Sequence, residues 1–282
     1  MRPGPYEFAA GTAVVTGAAS GIGAALAAGL ARRGSDLVLL DRDADGLAAV
    51  ASAVRTAAPQ CTVTTHEVDL ADAAATDRVA ARVVAGHPDI TLLVNNAGVA
   101  LAGRFDEVTL EEFDWVMAVN VRAVVRLTHA LLPVLTANPG AHLVVVSSVF
   151  GLIAPAGQVA YASSKFAVRG FTEALRHELA GRGVGVTCVH PGGIRTRIAE
   201  SARVGSGVPA AEGEAGKQAF ARLLTMDPAV AAEQILTAVQ RRRRRLLVGW
   251  SAVVPDLLVR LAPGSYGRVL AGLTALTGRR GR

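Results

Sequence analysis

Lysine is almost missing from this chain. Its 282 residues include only two, Lys165 and Lys217, so nearly all of the 29 basic residues are arginine. Cysteine is equally scarce: Cys61 and Cys188 stand apart, match neither metal-ligand spacing nor a disulfide framework, and predict a reducing compartment. Aromatic residues make up 4%, and none is interleaved within Arg241–Arg245 or among Arg279, Arg280 and Arg282. Without rings to stack on bases, a formal charge of +6 does not read as a nucleic-acid surface. There is no unbroken apolar run of about 18 residues, so a spanning helix is not expected. The N-terminal Met1 to Glu7 lacks the apolar stretch of a secretory signal, and the chain reads as cytoplasmic. No cluster of histidine, cysteine or carboxylate has ligand spacing, so the expected chemistry is metal-free.

What is present is alanine, valine and leucine in a regular alternation. Hydrophobic residues account for 51% of the chain, enough for a sizeable core. Residues 12–16, 36–40, 62–68, 91–94, 142–146 and 185–189 read as strands, several of them apolar throughout, separated by helical patterns including one long helix over 111–135. Strands that are apolar throughout and alternate with helices predict a doubly wound parallel α/β sheet covered on both faces. Residues 194–226 show little periodicity and read as a mobile substrate lid. A helix at 228–240 then leads to a last strand at 246–249. The expected organisation is one domain over 8–250 and an amphipathic, basic extension over 251–282, for which a solvated end or subunit contact is favoured over an anionic membrane surface.

Two constellations carry chemistry. The first strand runs into Gly17-Ala18-Ala19-Ser20-Gly21-Ile22-Gly23, where glycines let backbone approach a pyrophosphate and the next helix offers unpaired N–H groups. Asp41 follows Gly23 by eighteen residues, where a ribose-binding acid is expected. Its carboxylate suits two ribose hydroxyls and repels a 2′-phosphate, so NAD is favoured over NADP, although the adjacent Arg42 keeps a phosphate partner available. The second constellation is Tyr161-Ala162-Ser163-Ser164-Lys165, whose i,i+4 spacing on a helix sets phenol and ammonium on one face. A nearby cation favours the phenolate, so the pair is suited to moving a proton to or from an alcohol.

Taken with Asn95-Asn96-Ala97-Gly98, with Ser148 thirteen residues before Tyr161, and with Pro191-Gly192, these motifs resemble the short-chain dehydrogenases/reductases over about residues 8–250. The resemblance implies a seven-stranded Rossmann sheet, an NAD(P)-dependent oxidoreductase acting on CH–OH groups, and a homodimer or homotetramer. It also implies roles: Tyr161 as general acid/base, Ser148 holding the substrate oxygen, and Lys165 lowering the tyrosine pKa and binding the nicotinamide ribose. Asn120 would hold a water that extends the proton relay. Gly17, Ser20, Gly21, Ile22 and Gly23 would follow the pyrophosphate, Asp69 and Leu70 would flank the adenine, and Asn96, with Ala97 and Gly98, would line a ribose. Pro191, Gly192, Ile194 and Thr196 would lie along the nicotinamide end. Alternation along the strand sends Ser147 and Ser148 to opposite faces, and the thirteen-residue offset selects Ser148. The substrate is expected to be a largely apolar molecule contacting Val149, Phe150, Ile153, Ala154, Val159, Gln158, Leu223, Leu224 and Met226. The rival reading, a non-catalytic dinucleotide-binding assembly or redox sensor, would be free to lose Ser148, Tyr161 or Lys165, and all three are present.

Overall fold

A computed structural model describes residues 4–268. The chain opens with β1 (Thr12–Thr16), α1 (Gly21–Ala31), β2 (Asp36–Asp41), α2 (Ala44–Ala57), β3 (Val63–Glu67), α3 (Ala73–Gly86) and β4 (Ile90–Asn95). It continues through β5 (Leu101–Ala102), α4 (Leu110–Met117), α5 (Ala123–Ala137), β6 (His142–Val146), α6 (Val159–Glu178) and β7 (Gly185–Pro191). Last come β8 (Arg203–Val204), α7 (Ala210–Arg222), α8 (Pro228–Gln240), β9 (Arg245–Val248) and α9 (Trp250–Leu261). Seven parallel strands form one sheet in the order β3-β2-β1-β4-β6-β7-β9, as the doubly wound reading predicts. Successive connections run outward to one side of β1 and then to the other side from β4. A crevice therefore opens beyond the carboxyl ends of these two strands.

Local chemistry sets the element ends. Gly34, at φ 88°, ends α1 in a conformation that side chains other than glycine rarely adopt. Asp43 caps α2 by accepting the Gly46 N–H, Asp72 caps α3 through Ala75, and Asp227 caps α8 through Ala229 just ahead of Pro228. Both sheet faces are buried, which explains why the strand sequences do not alternate. Leu26, Leu30, Ile235 and Leu236 pack on one face, and Val83, Leu127, Leu131 and Val168 on the other. Tyr6, ahead of the expected domain start, joins the core, and its hydroxyl lies 2.9 Å from Thr91 Oγ1.

Several expectations need correction. The helix expected at 111–135 is interrupted by a π-helical turn over Ala118–Arg122. By length and hydropathy the whole Leu110–Ala137 helix could cross a membrane, but it packs within this fold against α3, β4 and α6. The lid is not irregular throughout: it contains α7 and β8, and β8 pairs in parallel with β5. The segment after residue 250 does not start as an extension, because α9 packs back on the domain with Ala252 and Asp256 buried. Arg241–Arg245 is solvated only in part: Arg241, Arg243 and Arg244 are exposed, as a solvated helix end should be, and the other two are engaged. Arg242 donates to the carbonyls of Gly4 and Gly140 at 2.6 and 2.7 Å, and Arg245 forms a two-pronged ion pair with Asp256. The amphipathic pattern past residue 268 and the Arg279–Arg282 tail lie outside the described residues.

Candidate active site

A cavity of about 790 Å³ lies over the crevice, and both constellations face it. Its floor at one end is the turn after β1. Gly17 and Gly21 have φ of 66° and 54°, and a Cβ on Gly23 would fall 2.0 Å from the Gly17 carbonyl oxygen. Ser20 stands at the N-cap of α1 without capping it through its side chain, so the first N–H groups of the helix stay open toward the cavity. This cradle fits a dinucleotide pyrophosphate: the backbone is bare, the helix end is positive, and there is no room for side chains.

Asp41 Oδ2 accepts the Ala19 N–H at 2.9 Å, while Oδ1 accepts those of Arg42 and Asp43 at 2.7 and 3.2 Å. The carboxylate is thus fixed at the cavity edge beside Arg42. The Asn96 amide donates to the Thr16 and Gly17 carbonyls at 2.9 and 3.2 Å, which staples the glycine turn to the end of β4, while the residue also lines the cavity. Gly98 leaves room for Lys165, since a Cβ there would lie 3.1 Å from Nζ. Asp69 accepts the Ala71 N–H in a tight turn and leaves the cap of α3 to Asp72. Asp69, Leu70 and Ala97 line the cavity, and so do Pro191, Gly192, Ile194 and Thr196 at its other wall.

At the far end, Tyr161 and Lys165 are both buried on α6. Ser148 follows β6, accepts the Phe150 N–H at 3.1 Å, and shares a side-chain hydrogen bond with the Tyr161 phenol. Ser147 points away and donates to the Lys165 carbonyl at 2.8 Å, so the alternation predicted for the two serines holds. Burial is the largest influence on both the Tyr161 phenol and the Lys165 ammonium. Burial pushes Tyr161 up to about 12, and the Ser148 hydrogen bond pulls it only partway back. Burial likewise pushes Lys165 down to about 8. The Lys165 Nζ donates to the Val146 carbonyl at 3.1 Å and sits 5.6 Å from the phenol ring's centroid.

Asn120 falls in the π turn, and its side-chain amide is fully engaged. Oδ1 accepts the Val99 N–H at 2.8 Å, and Nδ2 donates to the Val99 carbonyl and to Ser164 Oγ, each at 2.9 Å. The amide therefore acts as a packing group here. Backbone opened by the π turn is what remains on this residue to hold a water. Of the expected substrate contacts, Val149, Phe150, Ile153, Leu223 and Leu224 line the cavity, whereas Ala154, Gln158, Val159 and Met226 do not.

Three features escaped sequence reasoning. His190 Nδ1 donates to the Ser148 carbonyl at 3.2 Å, with the ring buried and pushed down to about 4 by desolvation. Ser251 accepts the Gly193 N–H at 2.9 Å and, with Pro255, brings α9 to the cavity wall. Arg197 in the lid bridges to Asp43 at 2.9 Å. A histidine at a strand end gives no sequence signal, and neither do contacts between residues this far apart in the chain.

A parallel sheet with a glycine cradle at its switch point, and a buried Ser–Tyr–Lys group facing the same cavity, define a dinucleotide-binding oxidoreductase. The short-chain dehydrogenase family model matches residues 11–206. The chain is 41% identical over 272 residues to SadH of Mycobacterium tuberculosis, provisionally named an oxidoreductase, covering 94% of this chain and 95% of that one. A short-chain dehydrogenase/reductase from Burkholderia phymatum solved with NAD superposes with a TM-score of 0.84 at 29% identity, over 91% of this chain and 95% of the other. One from Sphingobium yanoikuyae solved with NADPH gives 0.73 at 29%, over 94% and 95%. The chain belongs to the short-chain dehydrogenase/reductase family.

Proposed function

We propose that this oxidoreductase interconverts a secondary alcohol and a ketone on a largely apolar molecule, using NAD in preference to NADP. The observation that carries this reading is the convergence of Ser148, Tyr161 and Lys165 on the cavity that also holds the glycine cradle. When bound, the nicotinamide accepts or supplies the hydride. Everything else falls to the chain. The Gly17–Gly23 turn and the α1 N-terminus hold the pyrophosphate, and Asp41 receives the adenosine ribose. Ser148 donates to the substrate oxygen and keeps it beside the phenol. With its pKa near 12 the phenol is protonated at neutral pH, so it serves directly as a general acid toward a carbonyl oxygen. Lys165, near 8, is mostly an ammonium at pH 7; it binds the nicotinamide ribose and restores the tyrosine proton.

Phe150, Ile153, Leu223 and Leu224 on the cavity wall support an apolar substrate. A homodimer or homotetramer is supported by the exposed apolar side chains Val125 on α5 and Phe166 on α6. Two measurements test the reading. Tyr161→Phe, assayed by absorbance with hydrophobic alcohols and ketones, should lose roughly 10³-fold in kcat while cofactor affinity holds. Turnover that survives would remove the phenol from the reaction. Fluorescence titration should find NADH bound more tightly than NADPH, and the reverse order would overturn the role given to Asp41.

A further inference from the structure

The helix α9 is built inside out. Its charged Asp256 is 6% exposed and takes the guanidinium groups of both Arg245 and Arg260. Four large apolar side chains face the opposite way, Trp250 79% exposed, Val254 58%, Leu257 52% and Leu261 85%, while Val253, Leu258 and Val259 are half-buried. Offsets of four, seven and eleven residues from Trp250 put these four on one stripe of the helix. A surface helix with no further partner would bury that stripe and expose the acid.

The stripe borders the substrate cavity. Ser251 and Pro255 line the cavity from α9, and Leu223, 67% exposed, lines it from the lid. The charge around it is one-sided. Before position 241 the chain has 19 basic and 22 acidic residues; from 241 onward it has ten arginines and one acid, Asp256. The Arg245–Asp256 pair lays the arginine run alongside α9, and Arg241, Arg243, Arg244 and Arg268 are exposed.

We infer that the α9 stripe rests on an anionic lipid surface, with the cavity mouth opening beside it. At 12 residues the helix is too short to span a bilayer, but it matches the in-plane pattern of an apolar stripe, an edge tryptophan and surrounding cations. A second copy fits the stripe poorly, because a two-fold contact would bring two arginine-rich edges together. An acidic lipid surface meets both the apolar stripe and the cations. Docking of this kind does not depend on which reaction the site performs.

The test sediments the full chain with vesicles rich in phosphatidylglycerol and with pure phosphatidylcholine vesicles, at low and high salt. Binding is expected only to the anionic vesicles, with a blue shift of Trp250 emission and loss in high salt. Two variants are compared: Val254→Ser/Leu257→Ser/Leu261→Ser and Arg243→Gln/Arg244→Gln. The first should weaken vesicle binding at least about tenfold, and the second about thirtyfold. Unchanged melting and cofactor binding serve as fold controls, since all five positions are exposed. A chain that stays in the supernatant with anionic vesicles at low salt overturns the inference. So does a stripe variant that sediments like the parent, or one whose main effect is a smaller oligomer, which would make the stripe a subunit contact.

Discussion

Lys165→Met should make the protein more stable and less useful. In the fold, burial brings the Lys165 ammonium from the ordinary 10.5 down to about 8. A shift of that size corresponds to about 3 kcal/mol of destabilisation carried by the charged form at neutral pH. Methionine fills similar volume without charge; it gives up the hydrogen bond to the Val146 carbonyl, a loss of about 1 kcal/mol. The expected net gain at pH 7 is about 2 kcal/mol. The sign sets the pH window. The folded pKa lies below the unfolded one, so the unfolded chain holds the Lys165 proton more tightly. The parent should therefore gain stability as pH rises from about 8 to 10.5. The variant lacks that gain, so its advantage should shrink across this window and reverse slightly at the top. Urea denaturation of both proteins at several pH values gives the difference, which cancels titrations they share. A difference that stays flat between pH 8 and 10.5, or a variant clearly less stable at pH 7, would refute the reasoning. NADH affinity should fall in the same variant, marking the ammonium as a group kept for binding at the expense of stability.

Two further substitutions probe the frame of the site. Gly23→Ala places a methyl group about 2 Å from the Gly17 carbonyl oxygen, so the turn must shift; cofactor affinity, read by fluorescence, should drop by more than tenfold, whereas a parent-like value would mean the cradle is softer than it looks. Arg242→Gly relieves a φ of 50°, worth about 1 kcal/mol, but removes donors to the Gly4, Gly140 and Ala141 carbonyls. Lower stability by about 1–2 kcal/mol is expected in thermal unfolding, and a more stable variant would show that backbone strain dominates at this position.

The sheet was legible because strands such as Thr12–Thr16 and His142–Val146, buried from end to end, carry unbroken apolar stretches in place of an alternating pattern. The glycine turn and the Tyr161–Lys165 spacing were legible because each is local: a few adjacent residues contain the whole geometry. What stayed hidden has other physical causes. In α7 only Gly213 is buried, so its sequence shows no apolar periodicity to detect. Asn96 and Asn120 are fixed by carbonyls and N–H groups about 80 and 21 residues away along the chain, and a side-chain amide gives no sign of whether it will face a ligand or a neighbouring backbone. The spacing of Tyr161 and Lys165 sets their proximity but says nothing of solvent, and it is burial that raises the phenol and lowers the ammonium. The arginine run misled in part, since a string of like charges gave no hint that Asp256 would collect one of its members.

The cover over the cavity is tied down at both ends and in the middle. The N–H groups of Thr225 and Met226 return to the Gly193 carbonyl, Arg195 reaches Met226, and the β5–β8 pair holds Arg203 and Val204 with Arg203 stacked over Trp115. Residues 206–222, between those moorings, are themselves held at one end by the Ser206 and Gly207 N–H groups on Glu112 and Glu107, and from this stretch Phe220 reaches the cavity wall. A designer reshaping the cavity would therefore edit the cover where it faces inward, at Ile198, Phe220, Leu223 and Leu224, and leave the moorings in place.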